Sequence, residues 1–200
     1  MKLIATTILS LLLLSGSHAQ DILASLDAAQ TAYAAGNGQQ ARQHLQQALI
    51  DLNVRIGQKV LATLPATLGG LEINQNEETV VGGTGFAGLM ISRTYSNDSK
   101  RIKITIANDS PMMSMVSSFL SNDMLSGIMA SQTGQKKVVV SGYKGMLEKS
   151  DYDDGTVSYT LNVPLEESLF TLEASGFSSE SEVLDLAQQI DLRQVAALLH

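Results

Sequence analysis

Residues 101–107 read RIKITIA, an alternation in which isoleucine occupies every second position and polar side chains occupy most positions between. Successive side chains point to opposite faces of a strand, so this period of two predicts a strand with one buried face. Similar runs occur on both sides of the stretch, and the other strands predicted are residues 71–73, 86–95, 137–141, 146–152, 157–163 and 169–174. The chain after Gly70 is therefore predicted to form a sheet.

Turn and capping signals indicate how these elements are connected. Asp153-Asp154-Gly155 is typical of a β-hairpin turn and joins two of the predicted strands. Pro111, preceded by a capping side chain, predicts a helix that runs to about residue 130 with a break near Asn122-Asp123. Ser179 and Glu182 form a capping-box pattern for a last helix over residues 180–199. This order of hairpin-connected strands and helices predicts an α+β fold, an antiparallel sheet with helices packed on it.

The chain before Gly70 has the composition of helices. Alanine, glutamine and leucine dominate residues 21–64, and Gly36-Asn37-Gly38 interrupts them once, which predicts a helical hairpin. An apolar stripe follows the second helix and must cover another surface, of the same domain or of a dimer partner; its members are Ala41, Leu45, Ala48, Leu49, Leu52, Ile56 and Val60. Pro65 ends this helix, so the predicted division is a helical hairpin over 20–64 and an α+β sheet domain over 65–200.

The helical hairpin resembles a single tetratricopeptide-repeat unit over residues 22–53. The residues that carry the resemblance are Ala32-Tyr33, Gly36-Asn37, Ala41, Leu45 and Ala48-Leu49. Small alanines let two helices approach closely, whereas a binding superhelix needs about three stacked units and one is visible. The hairpin therefore implies a role in protein contact without the groove of the family. The order of the later elements resembles the Mog1/PsbP-like domains of exported and envelope proteins, which implies a non-catalytic accessory role.

The amino terminus has the three parts of a secretory signal. Lys2 is followed by an apolar run over residues 3–14 and by a small-residue exit that ends at Ala19. We predict that residues 1–19 are a signal peptide, cleaved after Ala19, and that the mature protein is periplasmic or secreted. The apolar run is shorter than the roughly 20 residues that span a bilayer, so no membrane anchor is predicted.

Composition narrows the classes of function. Removing the leader takes away Lys2 and no acidic residue, which changes the net charge from −7 to −8. An acidic chain without a long basic run lacks the electrostatic footprint that phosphate backbones require, so no nucleic-acid partner is predicted. The chain has no cysteine, which excludes disulfides, thiol catalysis and thiolate metal sites.

Residues 83–88 read GTGFAG and match the dinucleotide fingerprint G-x-G-x-x-G. In that fingerprint the third glycine lies in a helix whose amino end binds the pyrophosphate. Here the residues that follow have the pattern of a strand. We interpret the stretch as a glycine-rich entry to a strand and predict no nucleotide cofactor.

Methionines cluster in the helix predicted after Pro111, at positions 112, 113, 115, 124 and 129. Three interpretations are open: a soft Cu(I) site, an adaptable apolar contact surface, or simple filling of a buried helix face. The last needs the fewest assumptions, and no metal or other cofactor is predicted. The candidate contact residues for a ligand or a partner are Met112, Met113, Met115 and, in the helical hairpin, Tyr33.

Catalytic constellations are not evident. After cleavage the histidines are His44 and His200, neither of which has a partner at ligand spacing. His44 lies in the predicted helical hairpin, far along the chain from most serines, so no catalytic triad is predicted. We therefore predict a non-enzymatic protein. Two functions remain: a protein-interaction or accessory module of the bacterial cell envelope, which the repeat-like hairpin favours, and a periplasmic carrier of a small apolar ligand between the sheet and the Met-rich helix.

Overall fold

A computed structural model describes residues 17–83, 88–124, 126–127, 133–152 and 155–199. The helices are α1 (Ser17–Ala34), α2 (Gly38–Thr63), α3 (Met112–Ser121), α4 (Glu180–Gln188) and α5 (Leu192–Leu199). The strands are β1 (Thr67–Leu68), β2 (Leu71–Ile73), β3 (Thr79–Gly82), β4 (Leu89–Ser96), β5 (Arg101–Asn108), β6 (Lys136–Val140), β7 (Tyr143–Asp151), β8 (Val157–Leu165) and β9 (Ser168–Ser175). A 3₁₀ turn, Gln75–Glu77, separates β2 from β3.

The strands form one antiparallel sheet in the order β1-β2-β4-β5-β9-β8-β7-β6, and β3 pairs with β4 beside β2. With the helical pair α1 and α2 before it and helices packed on it, this arrangement confirms the predicted α+β fold. The predicted turn at residues 153–155 lies between the antiparallel partners β7 and β8, although residues 153 and 154 are outside the described residues.

The RIKITIA stretch is the inner strand β5, which has β4 on one side and β9 on the other. Its three isoleucines point to one face and are almost completely buried. Ile104 lies opposite Leu172 of β9, and Ile106 lies opposite Phe170. Burying such a side chain contributes about 1.5–3 kcal/mol, so this face of β5 anchors the main core.

The two faces of the sheet carry different helices. The face that bears the isoleucines of β5 packs against α2, α4 and α5, which contribute Val60, Leu61, Val183, Leu186, Leu192 and Val195 to one continuous core. The opposite face carries α3. There Val116 and Phe119 are fully buried against Met146 of β7 and Leu169 of β9.

Helix α2 lies against β3 at very short range, because two glycines remove side chains from the contact. A Cβ at Gly57 would lie 2.5 Å from Cγ1 of Val80, and one at Gly82 would lie 2.5 Å from the carbonyl oxygen of Ile50. Asn53 strengthens the same contact, since its side-chain N–H groups donate to the carbonyls of Gly83 (3.0 Å) and Gly88 (2.9 Å).

Several expectations about local structure need correction. Strands β1 and β3 are additional to those predicted. The last helix is broken, because Asp191 accepts a hydrogen bond from the N–H of Gln194 (3.0 Å) and so caps a separate α5. Helix α3 begins after Pro111 without a side-chain cap. Ser179 does cap α4, and its hydroxyl accepts from the N–H of Glu182.

The division of the chain at residue 64 stays a prediction about independent folding. The structure adds that the carboxyl-terminal part of α2 belongs to the main core, since Val60, Leu61 and Leu64 are buried in it. The predicted signal peptide falls almost entirely outside the described residues, which begin at Ser17.

Candidate functional site

The helical hairpin consists of α1 and α2, and the part formed by α1 and the amino-terminal half of α2 projects from the sheet. Apart from marginal contacts, α1 packs only against α2 among the described residues. Small buried side chains form this interface: Ala29 and Ala32 on α1, and Ala41 and Ala48 on α2. The turn is capped by Asn37, whose Oδ1 accepts from the N–H of Gln40 at 3.1 Å. One side of the hairpin is therefore free to present side chains outward.

The apolar stripe of α2 is only partly covered by the rest of the described chain. Ala41, Ala48 and Val60 are buried, and Ile56 packs at the edge of the core. Leu45, Leu49 and Leu52 remain 52%, 44% and 42% exposed. The reason is geometric: α2 turns one side to α1 and another to the sheet, and these three leucines lie between the two.

Helix α1 adds apolar side chains to the same side. Leu26 is 44% exposed and Tyr33 is 77% exposed. Successive residues of an α-helix are rotated by about 100° around its axis. Leu26 and Tyr33 therefore lie about a quarter turn from the residues of α1 that face α2. The leucines of α2 lie about a quarter turn from the positions that face α1, and because the helices run antiparallel the two offsets point to the same side.

We call this surface the hairpin face and define it by the exposed side chains Leu23, Leu26, Tyr33, Leu45, Leu49 and Leu52. Leu23 lies at its margin. Cations border it on α2, with Arg42 before the leucines and Lys59 after them, both exposed. Neither forms an ion pair with any residue that the structure describes. The surface is thus apolar with a positive border, on a protein that is acidic overall.

The predicted contact methionines lie elsewhere. On α3, Met112 and Met115 are exposed, whereas Met113 packs against the buried pair Val116 and Phe119. The cluster therefore divides between surface and packing, and Met129 is outside the described residues. Tyr33 is not brought together with them, because α3 and α2 lie on opposite faces of the sheet.

A cavity of about 300 Å³ opens at the carboxyl end of α3, against the edge strand β6. Its lining residues are Leu120, Asp123, Lys137, Val138, Val139 and Lys144. Nζ of Lys137 lies 2.6 Å from Oδ1 of Asp123, and this hydrogen bond lowers the pKa of that carboxyl. None of the candidate methionines lines the cavity, and the α3–sheet interface itself is filled by Val116 and Phe119.

A larger cleft, about 420 Å³, has a charge-balanced lining. Lys136 pairs with Glu180 (2.6 Å), and Lys149 pairs with Asp151 (2.8 Å). These two cations and two anions balance, so the cleft presents no unbalanced charge to a ligand, although the buried Oε1 of Gln135 has no hydrogen-bond partner among the described residues. Within the ranges that the structure describes, no three His, Cys, Asp or Glu side chains are placed to hold a metal ion.

The two ends of the fingerprint-like stretch, Gly83 and Gly88, lie beside the paired ends of the antiparallel strands β3 and β4. The N–H of Gly83 donates to the carbonyl of Gly88 (2.6 Å), and strand β4 follows directly. Residues 84–87 lie outside the described residues. Because a strand occupies the place where the fingerprint requires a helix, the expectation of a glycine-rich strand entry agrees with the fold on either side.

The fold and the surfaces together define an α+β domain with a projecting helical hairpin and an exposed apolar side. The chain matches no protein-family model, and no curated protein matches it. Among solved structures, the extracellular domain of PknH from Mycobacterium tuberculosis is similar over 76% of this chain and 95% of that one, at 10% identity and a TM-score of 0.29. At that score the similarity carries no argument about fold or function.

The described helices do not include one that is both long enough and apolar enough to cross a membrane. Of the surface residues, sequence reasoning named Tyr33 but missed Leu23, Leu26 and the three exposed leucines of α2 as contact candidates. Their periodicity was visible in the sequence. The exposure was not, because periodicity shows that residues share a side of a helix without showing what covers it.

Proposed function

We propose that this protein is an exported, non-enzymatic interaction module of the bacterial cell envelope, and that the hairpin face is its contact surface for another protein. The observation that carries the proposal is the exposure of six large apolar side chains on a projecting hairpin. Single exposed apolar residues are normal on protein surfaces, but contiguous apolar patches mark interaction sites.

The energetics of the hairpin face suit a protein partner. Full burial of one leucine is worth about 1.5–3 kcal/mol, and these leucines are already about half-buried, so each would contribute about 1 kcal/mol on docking. Three leucines with the flanking Leu26 and Tyr33 supply a compact apolar centre. Interfaces of this kind depend on a few such central side chains within a polar rim.

Export is supported by the amino-terminal sequence. The charged start, the apolar run and the small-residue exit before residue 20 form a secretory leader pattern. The absence of cysteine from the sequence means that folding after export would not depend on disulfide formation. The proposed location is the periplasm or the medium, where a partner protein would meet the hairpin face.

The cavity at the end of α3 keeps a second candidate open, a carrier of a small apolar ligand. Its volume of about 300 Å³ lies at the lower limit of small-molecule sites. Leu120, Val138 and Val139 give it an apolar wall. It is less well supported than the module, because it is open and charged side chains line half of it.

Native mass spectrometry of protein purified gently from the exporting host separates these functions. We expect the wild type to retain a protein-sized partner and Leu49→Gln to lose it. The matched control is Val139→Gln, which replaces a valine that is 63% exposed on β6 and should retain the partner. A retained mass of small-molecule size that survives Leu49→Gln would contradict the module and support the carrier.

A further inference from the structure

The exposed leucines of α2 also belong to a second stripe, which differs from the apolar stripe described above and has a regular spacing. Its positions alternate steps of three and four residues: Arg42, Leu45, Leu49, Leu52, Ile56 and Lys59. This is the 3.5-residue period of helices that pack side by side, in which alternate apolar positions meet a second helix. A second helix suits this spacing as the occupant, because its side chains can fit between these positions.

Charge limits which helix fits. Arg42 and Lys59 take the two end positions of the stripe, 17 residues apart, or about 25 Å along the helix. The acidic residues of the hairpin are not part of this stripe: Asp51 of α2 accepts from Nε2 of Gln47 at 2.9 Å, and Asp21 and Asp27 belong to α1. The stripe is thus an apolar centre with a cation at each end.

A second copy of this chain is a poor occupant. Antiparallel pairing of two stripes puts Arg42 of one copy opposite Lys59 of the other, while Leu45 meets Ile56 and Leu49 meets Leu52. Parallel pairing puts each cation opposite itself. Both arrangements bring like charges together at the ends, and each mature copy carries a net charge of −8.

We infer that the partner presents an amphipathic helix with apolar residues at the same 3-4 spacing and a carboxylate at each end. Apolar contact would supply the affinity, and the end carboxylates, opposite Arg42 and Lys59, would set register and selectivity. This inference rests on the proposed function and specifies the chemistry of the partner.

Two synthetic helical peptides test the inference on the full mature protein, by fluorescence anisotropy at physiological ionic strength. Both carry the same leucine repeat; one has glutamate at the end positions and the other has lysine. We expect the glutamate peptide to bind about tenfold more tightly, since two exposed ion pairs replace two repulsions. The double variant Arg42→Glu, Lys59→Glu should reverse this preference.

Further variants separate the contribution of the apolar side chains from that of the end charges. Leu49→Gln should weaken both peptides to a similar degree, and circular dichroism should show unchanged helix content because the side chain is half exposed. Equal affinity for the two peptides, in the wild type and in the double variant, would overturn the inferred preference for carboxylates at the ends of the partner helix. Concentration-dependent dimerisation in sedimentation, lost on Leu49→Gln, would overturn the inference in favour of a second copy.

Failure of the inference and failure of the proposed function give different results. If neither peptide binds, the inference is overturned, whatever native mass spectrometry shows. If the peptides do not bind but a Leu49-dependent partner is retained in native mass spectrometry, the contact surface stands and only its helical occupant is wrong. If no partner depends on Leu49 either, the interaction module itself is wrong.

Discussion

Arg93 lies on the face of β4 that the helices cover, a position where a charged side chain is costly without partners. Nε of Arg93 lies 2.6 Å from Oε2 of Glu78, and Nη1 donates to the carbonyl of Leu64 at 3.2 Å. The hydroxyl of Tyr95, two residues along β4, donates to the carbonyl of Pro65 at 2.7 Å. Burial raises the pKa of Tyr95, so this phenol stays protonated and able to donate. These contacts fix the chain where it leaves α2 and enters the sheet.

Arg93→Met should destabilise the protein by about 2 kcal/mol. Removing one partner of a fully buried ion pair costs about 3–5 kcal/mol, and the loss is smaller here because the Glu78 side chain is 31% exposed. Urea unfolding followed by circular dichroism measures the change. Glu78→Gln is the control and should cost less, because an amide oxygen still accepts from Arg93. Equal stability of Arg93→Met and wild type would show that the contacts with Leu64 and Glu78 do not hold the junction.

Among the elements, α2 has two structural roles, which its carboxyl-terminal and amino-terminal parts divide between them. Its carboxyl-terminal part is fixed against β3 and the main core, while its amino-terminal part carries the exposed leucines and α1. Gly57 and Gly82 make the close contact with β3 possible. The packed carboxyl-terminal part thereby positions the hairpin face relative to the sheet.

Gly57→Ala should destabilise the protein by about 1–3 kcal/mol, the usual cost of overpacking, because the new Cβ would lie 2.5 Å from Cγ1 of Val80. Gly38→Ala is the matched control in the same helix. A Cβ at Gly38 meets nothing within 4 Å, so this change should be neutral or slightly stabilising. Thermal unfolding of the two variants measures the difference, and similar melting temperatures would contradict the packing of α2 on β3.

The ion pair between Lys100 and Glu182 connects the β4–β5 turn to α4. The hydrogen bond from Lys100, at 2.7 Å, lowers the pKa of Glu182 below its ordinary value of 4.5. Folding therefore disfavours protonation of this carboxyl, so its contribution to stability is present above about pH 4.5 and is lost as the pH falls below it.

Glu182→Gln should therefore reduce the acid sensitivity of stability. The midpoint of urea unfolding at pH 6 and at pH 3 should differ less for the variant than for the wild type. Asp98→Asn is a suitable control, because its carboxyl shows no ion pair with a described residue. An identical pH dependence in wild type and Glu182→Gln would show that this pair contributes nothing measurable.

The elements also show what the sequence could predict. RIKITIA predicted β5 because alternation needs only local information, and Gly36-Asn37 predicted the hairpin turn because a positive φ of 78° at Gly36 suits glycine. Strand β3 was missed because Thr79–Gly82 is short and depends on pairing with β4. Asp191, a capping residue within an apolar helical pattern, was the overlooked signal that α4 and α5 are separate.

For the molecule as a whole, the sheet separates two surfaces. One face is covered by the helices that lead to the hairpin face, and the other carries α3 with its exposed methionines. The sequence predicted the candidate residues of both regions only in part. Burial of a stripe is a property of the tertiary structure, which is why Leu45, Leu49 and Leu52 could not be recognised as exposed from periodicity alone.

Export makes a prediction about the whole chain. Protein produced in an exporting bacterium should have Gln20 as its first residue, because cleavage is expected after Ala19. Intact-mass measurement of the secreted or periplasmic material detects the loss of residues 1–19. Recovery of folded protein only from the cytoplasm, with Met1 retained, would contradict the proposed location.

The central claim is that the hairpin face contacts another protein in the envelope. Its most direct test places a photo-crosslinking amino acid at position 49 in the exporting host, with position 43 as the control, since Gln43 is exposed on the opposite side of α2. We predict a crosslinked adduct with a different protein from position 49 and none from position 43. Adducts of equal yield from both positions, or none from position 49, would contradict the claim.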